Sequence, residues 1–581
     1  MATEQSSSVS EEPFKWYNPQ NANTTSHVLD ERRRLALAEV DNAKFSYAYM
    51  NVCSGFSPHV YLIVGFMSKY ALPPVWGSSP MPMIFLLSAL PPLCWATSTG
   101  QAIHTVDPNV SRCELLDPYN EFFVTPHHQF FVPHHQLFGP FIGSLSSNAG
   151  LGIKVATPVG TLIGQLLFGW LADIVGRKKM YGFELLIIIF TTFAQALTAT
   201  GRSVNIIGVL VVWRTLMGIG IGGDYPLSAV ISSEFASTRS RGRLMTAVFA
   251  FQGWDSLVTA AVVACVTVAA YKDEISQDDV SSSLDAIDKC WRILIGMGCI
   301  PGVIALYFRL TIPETPRFTM DIERNIQQAS KDIEAILALK EEDDIPLGSK
   351  TDVPAGSWSD FIKHFGQRKY MKVLIGTSWS WFVLDIAFYG LGLNSSTILK
   401  VMHFGSGSGE GNPGIYSALI NISIGNLVLS LAGLIPGYWV SFFLIDSWGR
   451  KPIQFYGFIV LTVLFLIMGF GFDMLNANDA GKKGFVFLYC LTDFFQNFGP
   501  NVTTFVIPGE VFPTRYRSTA HGISAASGKL GAILAQVAFS KINNLRITLE
   551  IFAFFMLTGI LSTLLLPETK GRSLEELNEE E

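Results

Sequence analysis

The chain has 581 residues, of which 49% are hydrophobic, 12% aromatic and only 15% charged, with mean hydropathy +0.34 and formal net charge −6. Soluble domains carry about 25% charged residues, so a water-soluble globule, a disordered chain, a collagen-like rod and a small disulfide scaffold are all excluded. An all-α polytopic membrane protein remains. Residues 1–45 form a polar tail with the basic cluster Arg32 to Arg34 and no short apolar run behind Met1, which predicts no cleaved leader. Residues 46–144 follow, with two short apolar runs (61–73 and 84–97) that Pro or Lys interrupts, so neither reaches the 20 or so residues a bilayer needs. After residue 145 the sequence predicts spans at about 151–172, 180–200, 205–235, 244–270 and 292–312, a charged linker over 313–370, and further spans at 371–393, 415–445, 453–473, 485–508, 519–541 and 549–566. The stretch Asp321 to Lys340 reads as a solvated amphipathic helix in the linker, and 567–581 is a polar tail.

Lys and Arg cluster after every second span, at Arg177 to Lys179, Arg239 to Arg243, Arg450 and Lys451, Arg515 to Arg517, and Lys570 to Arg572. Basic loops face the cytoplasm, which predicts a cytoplasmic linker, cytoplasmic N- and C-termini, and one further span upstream to make twelve. Cys265, Cys299 and Cys490 lie in apolar runs and read as small buried hydrophobes.

The sequence also repeats itself. Gly169, Asp173, Gly176, Arg177 and Lys178 are echoed by Asp446, Gly449, Arg450 and Lys451; Glu234, Arg239 and Arg241 by Glu510, Arg515 and Arg517; Pro313 and Glu314 by Pro567 and Glu568. Each element recurs after the same span of its half. The prediction is two transmembrane halves, 145–312 and 371–566, related by a pseudo-two-fold axis.

The Asp173 to Lys178 and Asp446 to Lys451 loops resemble the major facilitator superfamily. Longer strings are similar to phosphate:proton symporters, nearest the fungal high-affinity ones: Gly222 to Glu234, Trp381 to Asn394, Phe498 to Asn501, Pro508 to Arg515 and His521 to Lys529. The resemblance covers about 145–575 and implies proton-coupled uptake of inorganic phosphate across the plasma membrane, with no cofactor, metal or nucleic acid. No phosphate-cradling Gly-Lys-Ser/Thr loop is present and no enzyme chemistry is expected.

Physical reading of the residues points the same way. A charge in mid-span costs about 3 kcal/mol, so Lys529, set among Gly and Ala, is a candidate cation for an anion site. Asp224 follows a run of glycines and precedes Pro226. Trp381, Asp385 and Tyr389 are spaced to line one helix face. By resemblance, Tyr225, Gln252, Trp381, Asp385, Tyr389, Asn501 and Lys529 match phosphate-binding positions, Asp224 matches a carboxylate of the proton path, and Asp385 serves both. An ionised carboxylate repels phosphate, whereas a protonated one donates to it, and burial favours the protonated form.

At the cytoplasmic ends, Asp173 with Arg177 and Asp446 with Arg450 are expected to pair within their loops or cap a neighbouring helix. Glu234 with Arg241, and Glu510 with Arg515 or Arg517, are expected as gate salt bridges or as plain helix-end charge pairs. The family's acidic first-span motif is missing. The near-tandem His127, His128 and His134, His135 repeats lack Cys or carboxylate partners at matching spacing, so metal binding is not expected, and 46–144 reads as a retained intron or frame shift. Asp255 and Asp493 are additional intramembrane carboxylates without an assigned role. A phosphate-sensing receptor without net transport, or a porter of another small solute such as a sugar or organic ion, are the alternatives.

Overall fold

The computed structural model describes residues 147–199, 204–258, 264–277, 280–312, 314–322, 358–395, 398–399, 412–542 and 544–578. The 46–144 segment, its His pairs and most of the expected 321–340 helix lie outside the described residues. The architecture is all-α. Along the chain run α1 (Ser147–Val175), α2 (Arg177–Ala196), α3 (Ile206–Phe235), α4 (Arg241–Asp255), α5 (Ala264–Ala270), α6 (Val280–Met297) and α7 (Cys299–Thr311). A short helix α8 (Trp358–Phe365) leads into α9 (Arg368–Gly392), α10 (Asn412–Leu429), α11 (Ile435–Trp448), α12 (Arg450–Phe470), α13 (Asp479–Asn497), α14 (Pro500–Val511), α15 (Arg517–Lys541), α16 (Leu545–Leu564) and the short α17 (Leu574–Asn578). Eight helices among the described residues are long and apolar enough to cross a bilayer.

Three expected spans differ in detail. The 292–312 span begins near residue 280, because α6 and α7 run nearly continuously over Ser281–Thr311 and absorb part of the expected loop. The 485–508 span is broken: Gly499 has extended φ, and Pro500, with no N–H to donate, starts α14 at the position where proline is preferred. The 415–445 span widens into a π turn at Ser430–Leu434, just ahead of Pro436, whose ring cannot pack on a regular turn. Of the cysteines, Cys490 is buried, while Cys265 and Cys299 are half-buried.

The two halves repeat each other in their packing as well as their sequence. In the first, α1 lies so close to α3 that a Cβ on Gly160 or Gly164 would meet the Thr215 or Ile219 carbonyl. In the second, Gly433 and Gly437 meet the Cys490 and Phe494 carbonyls in the same manner. Small residues at such points let helix backbones approach where no hydrophobic effect drives association. The halves join along two diagonals: α1 on α15, where Gly522 meets the Gln165 carbonyl, and α4 on α11, where Gly253 meets the Tyr438 ring. At the end away from the basic loops, Ala264 and Val268 pack with Ile415, Leu419 and Ile422, and Lys154 Nζ donates to Asn394 Oδ1 at 3.4 Å.

Candidate functional site

The centre between the halves is polar and buried. Helix α15 carries Lys529 at 2% exposure, and its Nζ donates to Asp385 Oδ2 at 2.9 Å and to Tyr389 Oη at 2.8 Å, both on α9. The same ammonium sits 4.2 Å above the Tyr389 ring and 4.8 Å above the Tyr225 ring. Gly528 makes this possible: a Cβ there would collide with Trp381 and Asp385. Trp381 faces Tyr225 at 6.3 Å between ring centroids and His521 at 5.4 Å. A second polar cluster is contiguous with the first. Tyr438 Oη on α11 donates to Gln252 Oε1 at 2.6 Å and accepts from Asn501 Nδ2 at 3.0 Å, which also donates to Asn497 Oδ1 at 2.7 Å. Gln252 Nε2 finds no partner among the described residues.

The structure therefore brings together Tyr225, Trp381, Asp385, Tyr389 and Lys529, and joins Gln252 to Asn501 through Tyr438. Asp224 is set apart. Its Oδ1 lies 2.9 Å from Arg309 Nη2, and Arg309 Nη1 is 2.6 Å from Glu184 Oε1, with the guanidinium 3.9 Å above the Tyr181 ring. Leaving a charge buried and unpaired costs about 3–5 kcal/mol, so the Glu184, Arg309 and Asp224 charges stand or fall together. Asp493 is half-buried beside the π turn, where Gly433 meets its Cβ, and its backbone carbonyl accepts from Asn497.

At the end carrying the basic loops, the Asp173 and Asp446 loops perform the same work in the two halves. Asp173 pairs with Arg177 at 3.2 Å and also caps α15 of the other half, accepting from the Ser518 and Thr519 amides at 3.2 and 2.7 Å. Asp446 pairs with Arg450 at 2.9 Å and accepts from the Arg243 amide at the start of α4. A carboxylate at a helix N-terminus satisfies orphan amides and the dipole at once. Gly176 and Gly449 make the turns, with φ of 111° and 101°. Glu314 accepts from the Lys178 amide, and Glu568 from the Arg450 and Lys451 amides. Burial pushes the Glu314 carboxyl up despite these amides and the Arg177 charge.

Both expected gate pairs are replaced by other partners. Glu234 pairs with Arg517 of the other half at 2.8 Å and with Arg177 at 3.6 Å, whereas Arg241 donates to the Arg572 carbonyl at 3.0 Å. Glu510 pairs with Arg450 at 2.7 Å, and Arg515 lies 3.5 Å from Asp360. Arg515 and Arg517 flank Tyr516 and take different partners, Asp360 and Glu234, and residue spacing alone does not choose between them. The C-terminal tail joins this layer through Arg317, which bonds Glu575 at 2.9 Å and the Glu234 carbonyl at 2.6 Å. Burial opposes ionisation of Glu575, but the Arg317 charge and hydrogen bond prevail and hold its carboxyl at about 2.

Paired loops of this kind in two repeated halves have counterparts among known proteins. Residues 109–580 match the family described as sugar (and other) transporter. The chain belongs to that family, within the major facilitator superfamily. It is a multi-pass membrane transporter by family, not an enzyme. This transporter is 47% identical to a repressible high-affinity phosphate permease of Neurospora crassa, over 76% of this chain and 80% of that one. It is also 47% identical to the inorganic phosphate transporter PHO84 of Saccharomyces cerevisiae, over 75% of this chain and 78% of that one. In fold it is similar to the major facilitator proton:xylose symporter XylE bound to 6-bromo-6-deoxy-D-glucose, with TM-score 0.56 and 20% identity over 75% of this chain and 90% of that one.

Proposed function

We propose that this transporter carries inorganic phosphate into the cell together with protons, at the plasma membrane, by alternating access of the central site. The observation that carries the reading is Lys529, a cation buried to 2% exposure between the halves and approached by Tyr225, Tyr389 and the Asp385 carboxylate, with Trp381 against the neighbouring Gly528. An ammonium offers three donors and no acceptor, which suits the oxygens of a small anion. The names of the 47%-identical relatives support phosphate as that anion.

Tyr225, Gln252, Trp381, Asp385, Tyr389, Asn501 and Lys529 then surround the anion. Phosphate and Asp385 compete for Lys529. Protonation of Asp385 removes the competitor and turns its carboxyl into a donor, so proton and phosphate each favour the other's binding, the reciprocity that symport requires. Half-buried Asp224, with the buried Glu184 and Arg309, supplies a second carboxylate pair for the proton path. The gate comprises Asp173, Arg177, Glu234, Arg241, Asp446, Arg450, Glu510 and Arg515, with Arg517 added by geometry. Inward opening lifts α15 from Asp173 and α4 from Asp446. Contacts at both ends of the halves fit a state in which the centre is closed to either side, and the distribution of Lys and Arg supports cytoplasmic termini.

The test is radiolabelled phosphate uptake at several external pH values, in cells lacking their own phosphate transporters and expressing the full chain, with surface expression measured in parallel. Uptake that rises with acidity is expected. Surface-expressed protein that supports no phosphate uptake at any pH refutes the reading.

A further inference from the structure

The proposed site leaves several fully buried polar side chains unused, Gln165 and Gln496 among them. Gln165 on α1 is 0% exposed, and neither its Nε2 nor its Oε1 has a hydrogen-bond partner among the described residues. A buried amide with both ends unsatisfied costs about 1–3 kcal/mol for each lost partner, and such a group points to a ligand that completes it.

Its location follows from the internal repeat. Asp173 and Asp446 occupy equivalent positions, as do Gly160 and Gly433, and Gly164 and Gly437, each glycine meeting a backbone carbonyl at the matching point of the neighbouring helix. Counting along this register, the mate of Gln165 is Tyr438. Tyr438 stands in the central cluster, bonded to Gln252 and Asn501 with Gly253 beneath its ring. The mates of those three residues, set by the Glu234/Glu510 and Arg241/Arg517 equivalences, are Gly528, Tyr225 and Lys529. Local packing agrees: a Cβ on Gly222 would meet the Gln165 backbone nitrogen, and one on Gly522 its backbone carbonyl oxygen. Gln165 thus sits where α1, α3 and α15 converge, its backbone against Gly222, three residues before Tyr225 on α3, and against Gly522, which follows His521 on α15. His521 Nδ1 is likewise buried without a partner among the described residues.

We propose that Gln165 is a phosphate-contacting residue that reads the protonated oxygen of the anion, an inference resting on the phosphate reading above. The other groups assigned to the site chiefly donate. Lys529 has donors only, Gln252 Oε1 is already taken by Tyr438, and Asp385 is held by Lys529. Gln165 Oε1 is a buried acceptor without a partner among the described residues, and its Nε2 donates to a second oxygen of the same anion. Inorganic phosphate carries at least one P–OH at neutral pH, whereas sulfate carries no S–OH. An acceptor in a water-excluded site therefore favours phosphate, because sulfate would leave Oε1 facing a bare anionic oxygen. Sites built to bond a substrate hydroxyl reject analogues lacking it strongly.

The test uses the purified full chain and radiolabelled inorganic phosphate, with unlabelled phosphate, arsenate and sulfate as competitors. Gln165→Leu, close in volume, is expected to weaken phosphate binding about tenfold or more, the scale of one lost buried hydrogen bond. The preference for phosphate over sulfate should narrow by a similar factor, while arsenate, which also carries a hydroxyl, should weaken alongside phosphate. A structural role would lower the melting temperature or yield and leave the phosphate-to-sulfate ratio unchanged, and that result overturns the proposal. If Gln165→Leu does not fold, Gln165→Glu decides: it keeps shape and acceptor but gains charge, so its phosphate affinity should recover as pH falls, more steeply than wild type. A pH profile parallel to wild type refutes the inference. Wild-type protein that binds no phosphate refutes the phosphate reading itself, and this inference with it.

Discussion

Replacing Lys529 tests the central pair most sharply, because the structure makes distinct predictions for stability and for binding. Lys529→Met removes the ammonium that lies 2.9 Å from Asp385 and 2.8 Å from Tyr389, and leaves Asp385 at 2% exposure without its counter-charge. Breaking one side of a buried pair costs about 3–5 kcal/mol, whereas replacing both members by neutral groups is often close to neutral. The single variant should therefore melt several degrees lower in detergent, and Lys529→Met with Asp385→Asn should recover most of that loss. Phosphate binding should not recover. Hydrogen bonds to charged groups contribute about 1.5–3 kcal/mol, so both variants should bind radiolabelled phosphate roughly 10- to 100-fold more weakly than wild type. A double variant with wild-type affinity removes Lys529 from the site, and a single variant no less stable than the double contradicts the pairing.

Asp385→Asn alone should abolish the rise of uptake with acidity, measured as uptake against external pH; a normal pH profile refutes its proton role. Gly176→Ala and Gly449→Ala place a Cβ on residues with φ near 100° and against Glu314 Oε2 and Glu568 Oε2, so each should cost about 1–3 kcal/mol, read as a lower melting temperature. Gly571→Ala, at φ 70° with open space around it, should show the backbone strain without the clash and lose less. Glu575 has a folded carboxyl depressed to about 2 by Arg317, against about 4.3 unfolded. Its contribution is present at neutral pH and is lost as pH falls through that window, so Glu575→Gln should flatten the decline in docking of the C-terminal tail between roughly pH 5 and 2. The readout is proteolysis of the tail, and an unchanged pH dependence refutes the assignment.

The sequence exposed what depends on local pattern. Apolar length marked helices that can cross a bilayer, eight of them among the described residues, Lys and Arg spacing marked the paired loops, and the Asp173 and Asp446 repeats marked two halves. Trp381, Asp385 and Tyr389 were legible because their spacing alone puts them on one helix face. What stayed hidden depends on partners distant in sequence. Glu184 and Arg309 are single charges inside apolar runs, and their pairing across α2 and α7 appears only when the chain is folded. Tyr438 and Gln165 look like ordinary core residues of a membrane helix, and only the register of the repeat lifts them out. The swap of Arg517 to Glu234 across the halves follows from how α15 meets α3, which no spacing within α15 encodes. The break at Gly499 and the π turn before Pro436 could have been read from their prolines.

The most direct measurement of the central claim is transport by the purified full chain in sealed vesicles with an imposed proton gradient. Radiolabelled phosphate and internal pH are followed together. The account predicts that a gradient directed inward drives phosphate above its external concentration and that phosphate addition acidifies the interior. Phosphate that merely equilibrates, at a rate indifferent to the gradient and without proton entry, would contradict it.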